Sequence, residues 1–244
     1  GWAPVPPPVP RARAAATASS SQGGLGAGVK AEAYGRVVLT TTIDIDGSLI
    51  AEHLLTIAGF VQPNGSLDAR ANGAGLGADT AGNDCGGDCR MWVSANVDID
   101  IAGATTLLQG DEILIRAVLG TDAAGNKGVL SSYAYSKAKA LGADSDATAV
   151  IDIDGGARIG IHTGVRLTGW ETIRITAETR DFDANATSSA NCSCGGGDTD
   201  STARVSTTTT SRVDVEPAVR VHTWRLDVEA TYIGRRNVFS QRIA

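Results

Sequence analysis

With 244 residues, a formal charge of −6 and only 5% aromatic residues, the chain lacks the concentrated basic, aromatic-bearing face of a nucleic-acid binder. No apolar run approaches the roughly 18 residues that cross a bilayer, so no membrane span is expected. Charge is unevenly placed, +3 over residues 1–40, −12 over 41–200 and +3 over 201–244, and three Phe and one Met leave little for a bulky core. Such a composition suits a narrow interior filled by short β-branched and small side chains.

Residues 1–10 hold five of the seven prolines and read as a polyproline-II spacer. The Ala/Ser-rich stretch from Arg11 to Ser21 alternates small residues with Arg and Thr, which predicts a thin strand. Together these form an N-terminal segment, 1–22, ahead of a repetitive region, 23–244, of about four repeats.

The repeats are announced by Ile43-Asp44-Ile45-Asp46-Gly47. It recurs as Asp98-Ile99-Asp100-Ile101 and Ile151-Asp152-Ile153-Asp154-Gly155, spaced by 54 residues each time, and more weakly as Val213-Asp214-Val215-Glu216. Alternation sends the aliphatic side chains to one face and the acids to the other.

Around each copy stand three further phrases. One is a small-residue alternation, as in Ala69-Arg70-Ala71, Ala134–Ala140 and Ala184–Thr187. Another is a glycine-rich loop at Gly24–Ala27, Gly75–Asp79, Leu141–Asp144 and Gly195–Asp198. The last is a strand ending in alanine: Leu55–Ala58, Ile113–Ala117, Ile173–Ala177 and Leu226–Ala230. Short period-2 runs rich in Val, Ile and Thr with glycine between them are strands joined by turns. No amphipathic helix pattern persists for three turns. The expected fold is all-β, a parallel β-helix or β-solenoid, with each unit of about 54 residues making two coils of about 27. A single wide coil or an antiparallel meander is the alternative.

The texture of Asp152–Ala157, Glu171–Ala177 and Asp198–Ala203, with the glycine-rich loops before them, resembles the repeats of giant bacterial surface exoproteins. These are the filamentous-haemagglutinin-like and related LEPR-XLL proteins. The likeness runs over about residues 23–235 and is strongest at 141–200. It implies an extracellular β-helical shaft serving adhesion or surface architecture, although no secretion domain or surface anchor accompanies it here. The chain reads as a segment of something longer.

Four cysteines lie in two tight pairs, Cys85/Cys89 and Cys192/Cys194. Disulfides within or between the pairs, free thiols, and a metal site are the three readings. The Cys-x3-Cys and Cys-x-Cys spacings do not match a usual zinc ribbon. The repeated acids are read as a solvated outer face, with weak calcium binding at Asp84, Asp88, Asp198 and Asp200 as the cofactor candidate.

His162-Thr163 and His222-Thr223, 60 residues apart, suggest one surface position repeated, with His53 apart from them. Trp92, Trp170 and Trp224 mark either turn caps or a carbohydrate-stacking face. No constellation of unlike acids, bases and Arg or Lys converges, so no catalytic residues and no enzyme activity are expected. The expected roles are a structural shaft, a fibre subunit associating through its solenoid ends or edges, or a helix that binds or cleaves glycans, with cell-surface glycans as possible partners.

Overall fold

A computed structural model describes residues 13–23, 29–74, 86–139, 144–181, 183–193, 195, 197–233 and 237–243. The proline-rich residues 1–10 and most of the glycine-rich loops lie outside them. All regular structure among the described residues is β-strand.

The chain winds in turns. The first turn holds β1 (Arg13–Gly23), β2 (Lys30–Asp46), the short β3 (Leu49–Ile50) and β4 (Leu54–Val61). The second holds β5 (Asn64–Ala74), β6 (Gly86–Ala102) and β7 (Leu107–Leu119), and the third β8 (Val129–Lys139), β9 (Ser145–Ile161) and β10 (Arg166–Thr179). A fourth holds β11 (Asp183–Cys192), β12 (Thr199–Val215), β13 (Arg220–His222) and β14 (Arg225–Tyr232), after which β15 (Asn237–Ile243) begins another.

Each strand pairs in parallel with its counterpart one turn away, giving three sheets. The first is β1-β5-β8-β11-β15, the second β2-β6-β9-β12, and the third β3/β4-β7-β10-β13/β14. The fold is therefore all-β, built of parallel sheets in a solenoid-like winding.

The two-coil unit is corrected. Pairings such as Arg13 with Asn64 and Gly65 with Leu130 put equivalent residues 51 to 65 positions apart, with one strand of each sheet in each interval. One wide turn therefore replaces the two narrow ones. The Thr/Val phrase and the Asp-Ile-Asp phrase are halves of a single 17-residue strand, as in β9. The predicted strand in Arg11–Ser21 corresponds to β1, a member of the first sheet, so the expected boundary at residue 22 falls inside that strand.

Alternation explains the core. In the second sheet Ile43, Ile99, Ile159 and Val213 stack as one inward column, and Ile45, Ile101, Ile161 and Val215 as the next. Ile99, Ile101, Ile159 and Ile161 are fully buried. In the third sheet Leu55, Ile113, Ile173 and Leu226 form a column, as the sequence phrases predict.

The first sheet faces this core with small residues, in columns such as Ala69–Ala134–Ser188 and Ala71–Ser136–Ala190. Their small volume lets the first and second sheets approach closely, and the buried hydroxyls then find partners across the gap. Ser136 Oγ lies 3.0 Å from Ser145 Oγ, Ser188 Oγ lies 2.7 Å from Ser201 Oγ, and Ser132 Oγ donates to the Cys89 carbonyl at 3.0 Å.

The third Asp-Ile-Asp copy does not join the others. Ile153 stacks on Val93 and Thr207, while Ile159, six residues further along β9, stacks on Ile99. Ile43 and Val213 of the first and fourth copies do share the Ile99 column, although the first copy is offset by two residues from the 54-residue spacing.

Candidate functional site

The outer face of the second sheet carries most of the chemistry. Its four long strands present alternate side chains to solvent, so the register decides which residues meet.

Trp92 of β6 lies opposite Arg36 of β2 and Asp152 of β9. Its indole stacks on Tyr34 at a centroid distance of 6.1 Å and an interplanar angle of 26°. Both rings remain about half open to solvent, Tyr34 at 48% and Trp92 at 44%. The Tyr34 hydroxyl reaches Asp88 Oδ2 at 3.3 Å, and burial together with the Asp88 charge raises the phenol above its ordinary value.

Beyond Trp92 the outward residues become small. Ser94, Asp154, Ser206 and Thr208, with Arg36 and Asp152, line an open trough of about 590 Å³ beside the indole. A second trough of about 500 Å³ is lined by Asn96, Asp98, Gly156, Arg158, Thr210 and Arg212. Because Ser94 and Asn96 are alternate residues of one strand, as are Thr208 and Thr210, the two troughs run on along the strands.

Several charges here are already paired. Arg204 reaches Asp152 at 3.3 Å, and Asp214 is held by Arg158 at 3.3 Å and Arg212 at 2.5 Å. Asp98 differs: its Oδ1 is buried without a hydrogen-bond partner.

At the far end of the face His162 ties three turns together. Its Nε2 lies 2.8 Å from Asp100 Oδ1 and its Nδ1 lies 2.9 Å from Glu216 Oε1. Ionised carboxylates only accept, so this geometry favours the protonated ring, in which both nitrogens donate. The Asp100 and Glu216 contacts accordingly raise the His162 pKa above its ordinary value. Glu216 is held low by the Thr163 backbone N–H and by His162.

Room for the ring comes from Gly160. It occupies the column in which the other turns carry Asp44, Asp100 and Asp214. A side chain there would put its Cβ 2.7 Å from Asp100 Oδ1 and 3.4 Å from His162 Nε2.

The sequence-level pairing of the histidines is therefore corrected. His162 follows β9 in the second sheet, whereas His222 lies in β13, opposite Thr168, with Trp170 edge-on at 6.1 Å. His53 is exposed and bonded to Asp111 Oδ2 at 2.9 Å. Trp170 stands at the register shift in β10, and Trp224 between β13 and β14 is 92% exposed, so both mark the same corner of the third sheet.

Cys89, an inward residue of β6, is a free, fully buried thiol, and burial pushes its pKa up to about 11. The strand's alternation sends this side chain into the core, a different outcome from the loop-closing bridge to Cys85. Cys192, at the end of β11, is disulfide-bonded to a partner outside the described residues. Cys85, Cys194 and Asp84 also lie outside them.

The calcium candidates are separated. Asp88 is nearly buried and engaged by Arg90 Nε at 3.0 Å. Asp198 and Asp200 instead neighbour Asp144 and Asp146: the Asp198 backbone N–H donates to Asp144 Oδ1 at 2.8 Å, and Asp200 pairs with Asp146 in the ladder. Burial, then the Asp200 and Asp144 charges, raise the Asp146 pKa. Among the described residues no group of three or more His, Cys, Asp or Glu side chains is arranged to hold a metal ion.

Sequence reasoning missed the Asp100–His162–Glu216 bridge and the troughs. The glycine interrupting an aspartate column was the available signal for the first. The runs of small polar residues in three strands signal the second only once the register is known. Comparison with protein-family models, curated proteins and solved structures gave no match to this chain.

Proposed function

We propose that the chain is a length of parallel β-helix with one wide three-sheet coil per repeat, acting as a structural, non-enzymatic section of an extracellular bacterial surface shaft. The observation that carries this reading is the register, which runs unbroken along all 17 residues of β2 against β6 and of β9 against β12. Parallel ladders of this length resist shear along the strands and pass load from turn to turn. The resemblance of the repeats to surface exoproteins, and a disulfide at Cys192, support an oxidising, external setting.

Proportions sharpen the proposal. The five strands of the first sheet, spaced by about 4.8 Å, rise only about 20 Å, whereas one 17-residue strand is about 55 Å long. One chain is thus a slab, and a shaft needs further turns above and below it.

A second reading, self-assembly, draws on the end turns. Leu226 and Val228 continue the inward column of Ile173 and Ile175, yet stand 47% and 49% exposed. Leu55 and Ile57 continue the same columns at the other end, where Leu55 is half-buried and Ile57 buried. A second copy could place its β2 and β4 on β12 and β14 and extend every column, with the sheet edges supplying hydrogen bonds.

Electron microscopy of the purified chain and of a two-copy tandem fusion tests both readings. The shaft reading expects the fusion to form one column about 20 Å taller than the single chain. Self-assembly expects single chains to form concentration-dependent columns unaided. Two independent particles on a string in the fusion would overturn the shaft.

A further inference from the structure

We propose that the two troughs lying in line on the outer face of the second sheet bind an extended, uncharged polysaccharide, with Trp92 as the stacking platform. The inference rests on the register of that sheet and not on the shaft or fibre reading.

The length of the groove points to a linear ligand. From Trp92 to Asp98 is six residues of extended strand, about 20 Å. That distance holds roughly four pyranose rings of an extended chain laid along the strands. The floor is low because most outward residues between the two ends are small, Ser94, Asn96, Gly156, Thr208 and Thr210, with Asp154 the charged one among them.

The chemistry points to sugar. A half-exposed indole offers an apolar face to the C–H side of a pyranose, and Tyr34 behind it fixes the ring's position. Asp154 and Arg36 make no hydrogen bond or ion pair among the described residues. They provide an acceptor and a donor for ring hydroxyls beside that platform. At the other end Asp98 lines the second trough, and its Oδ1 is buried without a hydrogen-bond partner, so a small rotation of the carboxylate would gain an acceptor contact to a ring hydroxyl.

Charge selects a neutral chain. Arg36, Arg158, Arg204 and Arg212 are balanced by Asp98, Asp152, Asp154 and Asp214, and three of these arginines are already paired to Asp152 and Asp214. No surplus positive charge remains to favour a uronate or a nucleic acid. A peptide fits less well. The floor of the groove is a sheet whose middle strands, β6 and β9, have both edges occupied, so a peptide backbone would find no ladder to join.

Affinity electrophoresis through gels containing glucomannan, galactomannan or hydroxyethylcellulose, with polygalacturonate as the anionic comparison, tests the proposal. The chain should be retarded by at least one neutral polymer. Trp92→Ala should weaken that retardation at least tenfold, as should Ser206→Trp, which fills the trough without removing the platform. Trp170→Ala and Trp224→Ala should leave it unchanged. Circular dichroism of each variant confirms that the strands persist. Three results would each overturn the proposal: no retardation by any neutral polymer, retardation by polygalacturonate alone, or retardation indifferent to both trough variants. None of these would alter the tandem-fusion result.

Discussion

The middle turns and the end turns are built from the same phrases but do different physical work. Ile113 and Ile115 of β7 are covered above and below by Leu55, Ile57, Ile173 and Ile175, and are fully buried. Leu226 and Val228 of β14 occupy the same columns with a neighbour on one side only, and remain about half exposed. At the β14 end burial thus follows position along the stack, whereas at the other end Val37, Leu39 and Ile57 stay buried in the first turn. A solenoid derives stability from contacts between turns, and its ends go without half of them.

The largest expected effect breaks that comparison directly. Ile115→Ala should cost about 2–5 kcal/mol in urea denaturation, because neighbours on every side prevent the cavity from collapsing. Val228→Ala, losing surface already half wet, should cost about 1 kcal/mol or less. Equal costs would mean that the end turn is covered in solution and would favour self-assembly.

A smaller effect is expected at Gly155, where a Cβ would collide with the Ala95 carbonyl on the neighbouring strand. Gly155→Ala should therefore destabilise by roughly 1–3 kcal/mol through forced backbone shifts. Thermal unfolding checks this, and an unchanged midpoint would show that the middle strands are less tightly apposed than described.

The smallest effect is a pH dependence at His162. Its folded-state pKa lies above the ordinary value, so the contribution is complete below about pH 6.5 and is lost as pH rises through the folded pKa. Glu216, held low, sets the acid limit: its share is lost only as pH falls through its own lowered value. The midpoint of the wild-type chain should fall as pH rises above about 6.5, and His162→Gln should flatten that fall. His53→Gln should flatten it less, because the Asp111 contact raises the exposed His53 in the same direction but with one carboxylate bonded to the ring and not two. A wild-type profile unchanged by His162→Gln would remove the imidazolium bridge.

Strand identity and facing were legible in the sequence, while register was not. The columns through Ile113, Ile173 and Leu226 follow from phrases that also align in the sequence. The Asp-Ile-Asp copies misled because a period-2 pattern keeps its inward and outward faces under any shift by an even number of residues. Moving Ile153 to the place of Ile159 exposes nothing, so alternation alone could not choose between them.

The two-coil reading failed for a related reason. The phrases suggest enough short strands for two coils, but the Thr/Val and Asp-Ile-Asp phrases share one 17-residue strand, which leaves a single wide turn. The site was harder still, since Trp92, Asp152 and Ser206 lie far apart in the sequence and meet only through the ladder.

Methyl NOEs from Ile99 test the winding itself. The stacked register predicts cross-peaks from Ile99 to both Ile43 and Ile159, and none to Ile153, which lies about 20 Å along the strand from Ile159. Cross-peaks from Ile99 to Ile153, the partner that the repeated phrase alone would choose, would contradict the account.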